Sequence, residues 1–276
     1  MIALDRKACD LSRRDDLSAL IRQVQPDILI NAAAYTAVDQ AEEQEELATL
    51  VNGTAVGILA AEARTHGALL IHYSTEYVFD GTKASPYTEA DPPNPINAYG
   101  RSKLAGERAV SRFACDYLIL RTSWVYAAHG HNFLTTILRL AEERDELSIV
   151  ADQIGAPTWA RDIADATASI IQHGCHERDQ GRFVSGIFNI TAGGSTSWHG
   201  FAEAILDLAM SEQSRHRNRP KLCPIKSSEY PRPAARPQNS RLSGDRLRER
   251  FGISLPYWRD ALARCMQAAA KVERNS

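Results

Sequence analysis

Long apolar runs are missing from this sequence of 276 residues, although 44% of its residues are hydrophobic. A bilayer-spanning helix needs about 20 consecutive apolar residues, and the sequence contains no such run. It also lacks the basic stretch followed by an apolar stretch that is typical of a secretory leader. The five cysteines are scattered and show no C-x-x-C spacing, which favours reduced thiols over a disulfide framework. We therefore expect a soluble, cytoplasmic protein that does not bind membranes.

A strong net charge is absent as well. The formal net charge of -2 argues against general binding of nucleic acid. Potential metal ligands are few: His173, Cys175 and His176 lie close together, but no fourth ligand follows at a usual spacing. This group is typical of a helix surface, so we predict no metal site, and Mg²⁺ has no support from the sequence.

Positive charge is concentrated in one segment. Residues 213–250 contain eleven lysines and arginines but only three acidic residues. A solvated surface loop and a binding site for an anion both explain such a segment, and the sequence leaves both interpretations open.

Short apolar runs with strand character alternate with stretches of helical periodicity. The runs lie at 2–4, 27–31, 68–74, 116–123, 147–150 and 186–191, and the helical stretches at 15–24, 41–66, 99–114, 131–144, 161–173, 198–211, 243–251 and 256–272. This alternation predicts an α/β fold with a doubly wound, Rossmann-like parallel sheet. We assign residues 1–190 to a dinucleotide-binding domain and residues 191–276 mainly to a smaller substrate-binding lobe, with interleaved boundaries.

The residues that follow each strand are the candidates for function, because ligands of such a sheet bind at the carboxyl ends of its strands. Thr75 follows the third run, and Tyr99 and Lys103 are four positions apart on the next predicted helix, so their side chains share one face. Hydride transfer to a carbonyl needs such a set. A tyrosine can give the carbonyl oxygen a proton, and a nearby ammonium lowers the tyrosine pKa.

Six stretches of the sequence together resemble the extended short-chain dehydrogenase/reductases, and within that group the dTDP-4-dehydrorhamnose reductase family. They are PDILINAAAYTAVDQAE, HYSTEYVFDG, NAYGRSKLAGE, LRTSWVYA, DQIGAPT and RPQNSRL. The resemblance implies reduction of the 4-keto group of dTDP-4-dehydro-6-deoxy-L-mannose with NADPH or NADH, in the synthesis of a nucleotide sugar for polysaccharides.

The resemblance also implies roles for individual residues. Tyr99 would be the acid–base, Lys103 its electrostatic partner and a ligand of the nicotinamide ribose, and Thr75 the hydroxyl that tunes the tyrosine. Further cofactor contacts would come from Asp10, Leu11, Ala34, Tyr35, Thr36 and Tyr73. Glu76 and Trp124 would hold the nucleotide sugar, although a plain core position is an alternative for Trp124.

Three further residues lie in a proline-punctuated loop of the basic segment. We interpret Arg236, Asn239 and Arg241 as a clamp for the substrate diphosphate, with a surface role as the alternative. Asp5 follows the first apolar run, where an acid binds the ribose hydroxyls. Its basic neighbours could instead accept a 2′-phosphate, so NADH and NADPH both stay open, and a solvated turn is the third interpretation.

The sequence departs from the family pattern in two respects. Glu76 stands where the family usually has aspartate. A Gly-rich G-x-x-G-x-x-G turn is missing, and MIALD corresponds to the second strand of the family. We therefore expect that the first strand and its turn are absent, and that residues 1–276 alone bind NAD(P)H weakly.

Two alternative functions remain at this point. One is a non-catalytic, cofactor-binding regulatory subunit like that of methionine adenosyltransferase, and the other is a reductase or epimerase of another nucleotide sugar. The combination of Thr75, Tyr99 and Lys103 favours an enzyme over the regulatory subunit. A homodimer is left open.

Overall fold

The computed structural model describes residues 1–213 and 219–274. Nine α-helices and ten strands are defined in these ranges. The helices are α1 (Arg14–Val24), α2 (Glu45–Thr49), α3 (Ala55–His66), α4 (Ala98–Arg112), α5 (Phe133–Glu143), α6 (Ala160–Asp179), α7 (Trp198–Gln213), α8 (Asp245–Phe251) and α9 (Trp258–Arg274). The strands are β1 (Ile28–Asn31), β2 (Leu69–Thr75), β3 (Asp116–Thr122), β4 (Val125–Tyr126), β5 (Glu146–Val150), β6 (Ile154–Gly155), β7 (Thr158–Trp159), β8 (Gly186–Asn189), β9 (Thr196–Ser197) and β10 (Lys221–Ile225).

The main sheet has four parallel strands in the order β1-β2-β3-β8. Alternate residues of β2 and β3 point to opposite faces. Leu70 and Ile119 join a core formed with α1, α3 and α4, while Leu69 and Leu118 join a core with α6 and α8. The predicted parallel sheet with helices on both faces is therefore confirmed.

A third core lies outside these two layers. It joins α5, α7 and α9 through buried residues that include Leu134, Phe201, Leu262 and Cys265. The division of the chain at residue 190 stays a prediction.

Two predicted strands differ from the structure. Residues 2–4 form no strand and are exposed, because no described strand lies beside them to pair with their backbone groups, and β1 pairs only with β2. The predicted run 147–150 is a strand, β5, but it lies outside the main sheet. It pairs in parallel with β10, since its partner comes from a distant segment that local periodicity does not reveal.

The long helix predicted over 41–66 is interrupted. A π-helical turn at Leu50–Thr54 separates α2 from α3. Such turns displace the helix register locally and occur frequently at functional sites. Here the turn lies against α4, where a β-carbon on Gly106 would be only 2.2 Å from the Asn52 carbonyl oxygen. Within the described ranges, no helix has both the length and the apolar character needed to cross a bilayer.

Candidate active site

The carboxyl end of β2 carries the first two candidate residues. Thr75 ends the strand and caps a 3₁₀ turn, since its Oγ1 accepts a hydrogen bond from the Tyr77 backbone N–H at 3.2 Å. The same hydroxyl donates to Glu76 Oε2 at 2.8 Å. Glu76 is only 4% exposed. Burial raises its pKa to about 7, and hydrogen bonds from the Thr75 and Ser240 hydroxyls oppose this shift.

The first turn of α4 brings Tyr99 to this strand end. Asn97 caps the helix by accepting a hydrogen bond from the Gly100 N–H at 2.8 Å. Gly100 permits a close approach, because a β-carbon there would be 2.2 Å from the Tyr77 carbonyl oxygen. The rings of Tyr77 and Tyr99 meet edge to face, with 5.4 Å between their centroids. The cap and the missing side chain of Gly100 therefore set where the phenol lies.

Thr75 and Tyr99 are brought together as the sequence predicts. Burial raises the pKa of Tyr99 well above its ordinary value and the charge of Glu76 raises it further, while the neighbouring Thr75 hydroxyl lowers it. The phenol is therefore protonated at neutral pH, which suits a group that gives a proton away.

Lys103 is buried one helical turn after Tyr99, with 3% of its surface exposed. Its ammonium donates to the Tyr73 carbonyl oxygen at 2.7 Å. Burial lowers the pKa of Lys103 to about 8, and the charge of Glu107 opposes this. Sequence reasoning expected the ammonium to lower the tyrosine pKa. The structure differs because the ammonium is directed at a carbonyl of β2, and burial dominates at Tyr99.

A buried ion pair between Glu107 and Arg121 connects α4 with β3, beside β2. Glu107 on α4 receives two hydrogen bonds from Arg121, at 2.9 and 2.6 Å, and one from the Ser74 hydroxyl at 2.6 Å. Both charged side chains are almost completely buried. These contacts fix β2, β3 and α4 relative to one another, and with them the positions of Thr75 and Lys103.

Asn52, in the π-helical turn, is a residue that sequence reasoning missed. Its side chain makes two hydrogen bonds with the backbone of Tyr35, accepting from the N–H at 2.8 Å and donating to the carbonyl at 3.0 Å. It also donates to the Ser102 hydroxyl at 2.9 Å, and this hydroxyl donates to the Tyr99 carbonyl oxygen at 2.7 Å. Asn52 thus connects the loop after β1 to the helix that carries Tyr99. A lone asparagine before glycine in an otherwise helical pattern was the available signal.

The predicted cofactor residues fall into two groups. Ala34, Tyr35 and Thr36 lie in the loop that follows β1, at the same sheet edge as Thr75. Tyr73 lies on β2, where its carbonyl oxygen accepts from Lys103 and its hydroxyl hydrogen-bonds Thr167 at 2.7 Å.

Three other predicted cofactor residues precede α1. Asp5 is in an exposed turn, where its carboxylate accepts from the backbone N–H groups of Lys7 and Ala8. No strand precedes it, so its interpretation as a strand-end acid loses its structural basis, and the solvated turn describes the observed contacts. Asp10 accepts from Ser12, and Leu11 is buried in the core beside α1.

Trp124 lies just beyond β3 and forms an aromatic surface beside the site. Its backbone has a φ of 46°, a conformation that a side chain of this size rarely adopts. The indole stacks on Trp198, with 3.6 Å between ring centroids, and Trp198 donates to Gln153 Oε1 at 3.2 Å. Gly155 faces the ring of Trp124, because a β-carbon there would be 2.4 Å from it. The ring is half-buried, which does not fit a plain core position.

The predicted diphosphate clamp is organised by contacts within the protein. Arg236 forms an ion pair with Asp39 at 2.9 Å and remains 20% exposed. The side chain of Asn239 donates to the carbonyls of Lys83 and Ser85 and accepts from Arg241. The Asn239 amide therefore holds the loop through both its nitrogen and its oxygen. The Arg236 guanidinium is more available to a ligand than that of Arg241. Arg215 and Arg217 of the basic segment lie outside the described residues.

The residues at the sheet edge fit a nicotinamide nucleotide. The Lys103 ammonium has three donors, and the described part of the chain supplies it with one acceptor, the Tyr73 carbonyl. A buried ammonium needs further acceptors, and ribose hydroxyls can provide them. The small side chains of residues 32–34 leave the adjacent loop open to close approach. No group of three or more metal-ligating side chains occurs among the residues that the structure describes.

Comparisons with known proteins extend over nearly the whole chain. A family model described as RmlD substrate binding domain matches residues 1–271. The dTDP-4-dehydrorhamnose reductase of Burkholderia thailandensis is 51% identical over 277 residues, which cover 97% of this chain and 90% of that protein. The chain belongs to the dTDP-4-dehydrorhamnose reductase family. The Escherichia coli K12 member is 42% identical, with 93% and 84% of the two chains covered.

Solved structures agree with this family assignment. The crystal structure of the Bacillus anthracis dTDP-4-dehydrorhamnose reductase in complex with NADP has a TM-score of 0.87 and 34% identity, and the match covers 96% of this chain and 89% of that one. A Thermotoga maritima UDP-glucose 4-epimerase with UDP-glucose, 17% identical with a TM-score of 0.77 and coverage of 98% and 86%, shares the fold. The Rossmann-like fold predicted from the sequence is confirmed.

Proposed function

We propose that this chain reduces dTDP-4-dehydro-6-deoxy-L-mannose to dTDP-L-rhamnose with NADPH or NADH. The observation that carries this proposal is the meeting of Thr75 and Tyr99 at the carboxyl end of β2, with buried Lys103 one helical turn further on α4. The family membership, with identities of up to 51%, points to the same substrate. A regulatory, non-catalytic role needs none of these three side chains.

Tyr99 gives a proton to the 4-keto oxygen as that oxygen gains negative charge. Its raised pKa keeps the phenol protonated before the reaction, and the Thr75 hydroxyl stabilises the phenolate that remains. The bound nicotinamide cofactor supplies the hydride. Lys103 holds the nicotinamide ribose through the donors that Tyr73 leaves free, and Asn52 keeps the Tyr35 loop beside it.

The substrate is held on the opposite side of Tyr99. The ring of Trp124 contacts the sugar, and the side chains of Glu76 and Ser240 contribute polar groups to the same sugar site. Arg236 reaches the diphosphate from the loop after β10, where its charge is only partly used by Asp39. Asn239 and Arg241 position this loop, and they do so through the carbonyls of residues 83–85.

The direct test is the reaction itself. Incubation of the purified chain with the 4-keto nucleotide sugar and a large excess of either cofactor, which offsets the weak cofactor binding expected of residues 1–276 alone, should consume the cofactor and form dTDP-L-rhamnose, identified by NMR. If the chain binds the nucleotide sugar and cofactor but forms no rhamnose product, the proposal fails in favour of the regulatory role. Formation of a different reduced or epimerised sugar from another nucleotide sugar would favour the related enzymes. We also propose a cytoplasmic location. We propose in addition that the chain forms a homodimer, and light scattering can test this oligomeric state.

A further inference from the structure

Two residues beside the Trp124 ring take no part in the proton transfer: Trp198 and Gln153. The indoles of Trp124 and Trp198 are nearly parallel, with 10° between their planes and 3.6 Å between their centroids. Stacking of this kind fixes the Trp124 ring only if the Trp198 ring is itself fixed. The contacts of Trp198 therefore bear on the sugar site.

A chain of hydrogen bonds with a single direction fixes the Trp198 indole. Its N–H, which can only donate, is bonded to Gln153 Oε1 at 3.2 Å. The Gln153 amide nitrogen donates to the Ser227 hydroxyl at 2.9 Å, and this hydroxyl donates to Asp152 Oδ1 at 2.6 Å. A flip of the Gln153 amide would set donor against donor at Trp198 and acceptor against a hydroxyl whose hydrogen Asp152 already takes. The plane of the Trp198 indole therefore depends on Gln153.

The backbone holds the same residues together. β6 pairs antiparallel with β9, so that Gly155, which meets the Trp124 ring, lies opposite Thr196. Trp198 follows β9 directly, as the first residue of α7. The Ile154 carbonyl of β6 also accepts from the Ser240 N–H at 2.7 Å. One short strand thus connects Trp198, the Trp124 ring and the segment that carries Ser240.

We propose that Gln153 and Trp198 are positioning residues that hold the Trp124 ring against the sugar of the bound nucleotide sugar. A displaced ring loses its contact with the sugar. The diphosphate keeps its contact, because that contact is assigned to Arg236 on a different segment. The two residues therefore contribute to the affinity for the sugar half of the ligand and not for the nucleotide half. This inference rests on the proposed function, which places the sugar against Trp124.

The binding test compares dTDP-L-rhamnose with dTDP, each titrated calorimetrically into the chain without cofactor. Gln153→Leu removes both side-chain hydrogen bonds and nearly keeps the side-chain volume. We expect it to weaken dTDP-L-rhamnose by about 5- to 10-fold, the scale of a lost hydrogen bond, and to leave dTDP within about 2-fold. Trp198→Phe, which narrows the stacked surface, should show the same pattern. Trp258→Phe is the matched control, because Trp258 packs edge to face on Phe201 in the same core, and it should change neither affinity by more than about 2-fold.

Turnover separates positioning of the sugar from a general loss of structure. In Gln153→Leu the KM for the 4-keto nucleotide sugar should rise while kcat stays within about 3-fold, because Thr75, Tyr99 and Lys103 lie on β2 and α4. Equal losses of affinity for both ligands, or no loss for either, would overturn the proposal. A fall in kcat with an unchanged KM would overturn it as well.

A second measurement follows the two rings directly and needs neither cofactor nor substrate. The chain has four tryptophans, so the indole N–H spectrum of the ¹⁵N-labelled chain is simple, and Trp124→Phe and Trp198→Phe assign the two resonances of interest. In Gln153→Leu the Trp198 resonance should move and exchange faster with solvent, because its acceptor is lost, and the Trp124 resonance should move with it. A Trp124 resonance that stays in place would overturn the proposal. If these shifts and the selective loss of dTDP-L-rhamnose affinity occur but the wild-type chain reduces no substrate, the positioning role stands and only the proposed reductase function fails.

Discussion

Gly155 and Trp124 approach so closely that a β-carbon on the glycine would lie 2.4 Å from the indole ring. The same ring stacks on the indole of Trp198. Trp124 also has an unusual backbone conformation, with a φ of 46°, so its orientation depends on these two neighbours. Gly155 has no side chain and therefore leaves the space in which the Trp124 ring lies.

Gly155→Ala should displace the Trp124 ring. We expect the KM for the nucleotide sugar to rise by at least about 5-fold, roughly 1 kcal/mol of lost binding, while cofactor affinity stays within 2-fold. Steady-state kinetics and fluorescence titration measure the two quantities. Gly244→Ala is the matched control, because a β-carbon there meets nothing within 4 Å. Equal behaviour of the two variants would show that the Trp124 position is not set by Gly155.

Asn52 should matter for cofactor binding although it lies behind the binding loop. Asn52→Ala removes both bonds to Tyr35 and the bond to Ser102. We expect cofactor affinity to fall by about 10-fold and the free energy of unfolding by about 1–3 kcal/mol, since buried backbone groups lose their partners. Ser102→Ala removes only one of these side-chain contacts of Asn52 and should have a smaller effect on cofactor affinity. Titration of both variants with NADPH tests this, and equal affinity losses would contradict the role given to the Tyr35 contacts.

Arg236 should serve the substrate and not the cofactor. Arg236→Ala should weaken binding of the dTDP-sugar by about 1.5–3 kcal/mol, the scale of a charge-assisted hydrogen bond. Arg232→Ala, at an exposed position of the same loop, is the control and should change little. Calorimetric titration with dTDP-sugar and with NADPH measures both affinities. If both fall equally, or if neither changes, Arg236 has only a surface role.

Glu76 should make stability depend on pH. Its pKa in the folded chain is raised from 4.5 to about 7, so the folded state binds this proton more tightly than the unfolded state. The resulting stabilisation is complete below pH 4.5 and is lost as pH rises through about 7. Relative to wild type, Glu76→Gln should therefore gain about 1–3 kcal/mol in free energy of unfolding between pH 5 and pH 8.5. Urea denaturation at both pH values measures this gain, with exposed Glu46→Gln as control. If the difference in free energy of unfolding between Glu76→Gln and wild type is the same at both pH values, Glu76 is already ionised in the folded chain at pH 5.

Much of the architecture could be predicted from the sequence because it follows from local pattern. The apolar runs became β1, β2, β3 and β8, and the i, i+4 spacing placed Tyr99 and Lys103 on one helix within reach of Thr75. The errors concern long-range pairing. Periodicity does not reveal that β5 pairs with β10, or that residues 2–4 lack a partner strand.

The missed parts of the site have the same origin. Asn52 acts through a π-helical turn and through residues 17 and 50 positions away. Trp198 and Gly155 shape the Trp124 ring from two other segments. The direction in which Lys103 points depends on which acceptor is nearest in three dimensions, and the pKa of Tyr99 depends on how deeply the folded chain buries its phenol.

The measurement that tests the central claim most directly is the turnover of Tyr99→Phe. This change removes one hydroxyl and keeps the ring that packs on Tyr77. Because the hydroxyl serves the transition state more than the ground state, nucleotide-sugar affinity should stay within a few-fold while nearly all turnover disappears. A variant that retains more than about a tenth of the wild-type rate, a loss of less than roughly 1.4 kcal/mol of transition-state stabilisation, would contradict the assignment of Tyr99 as the proton donor.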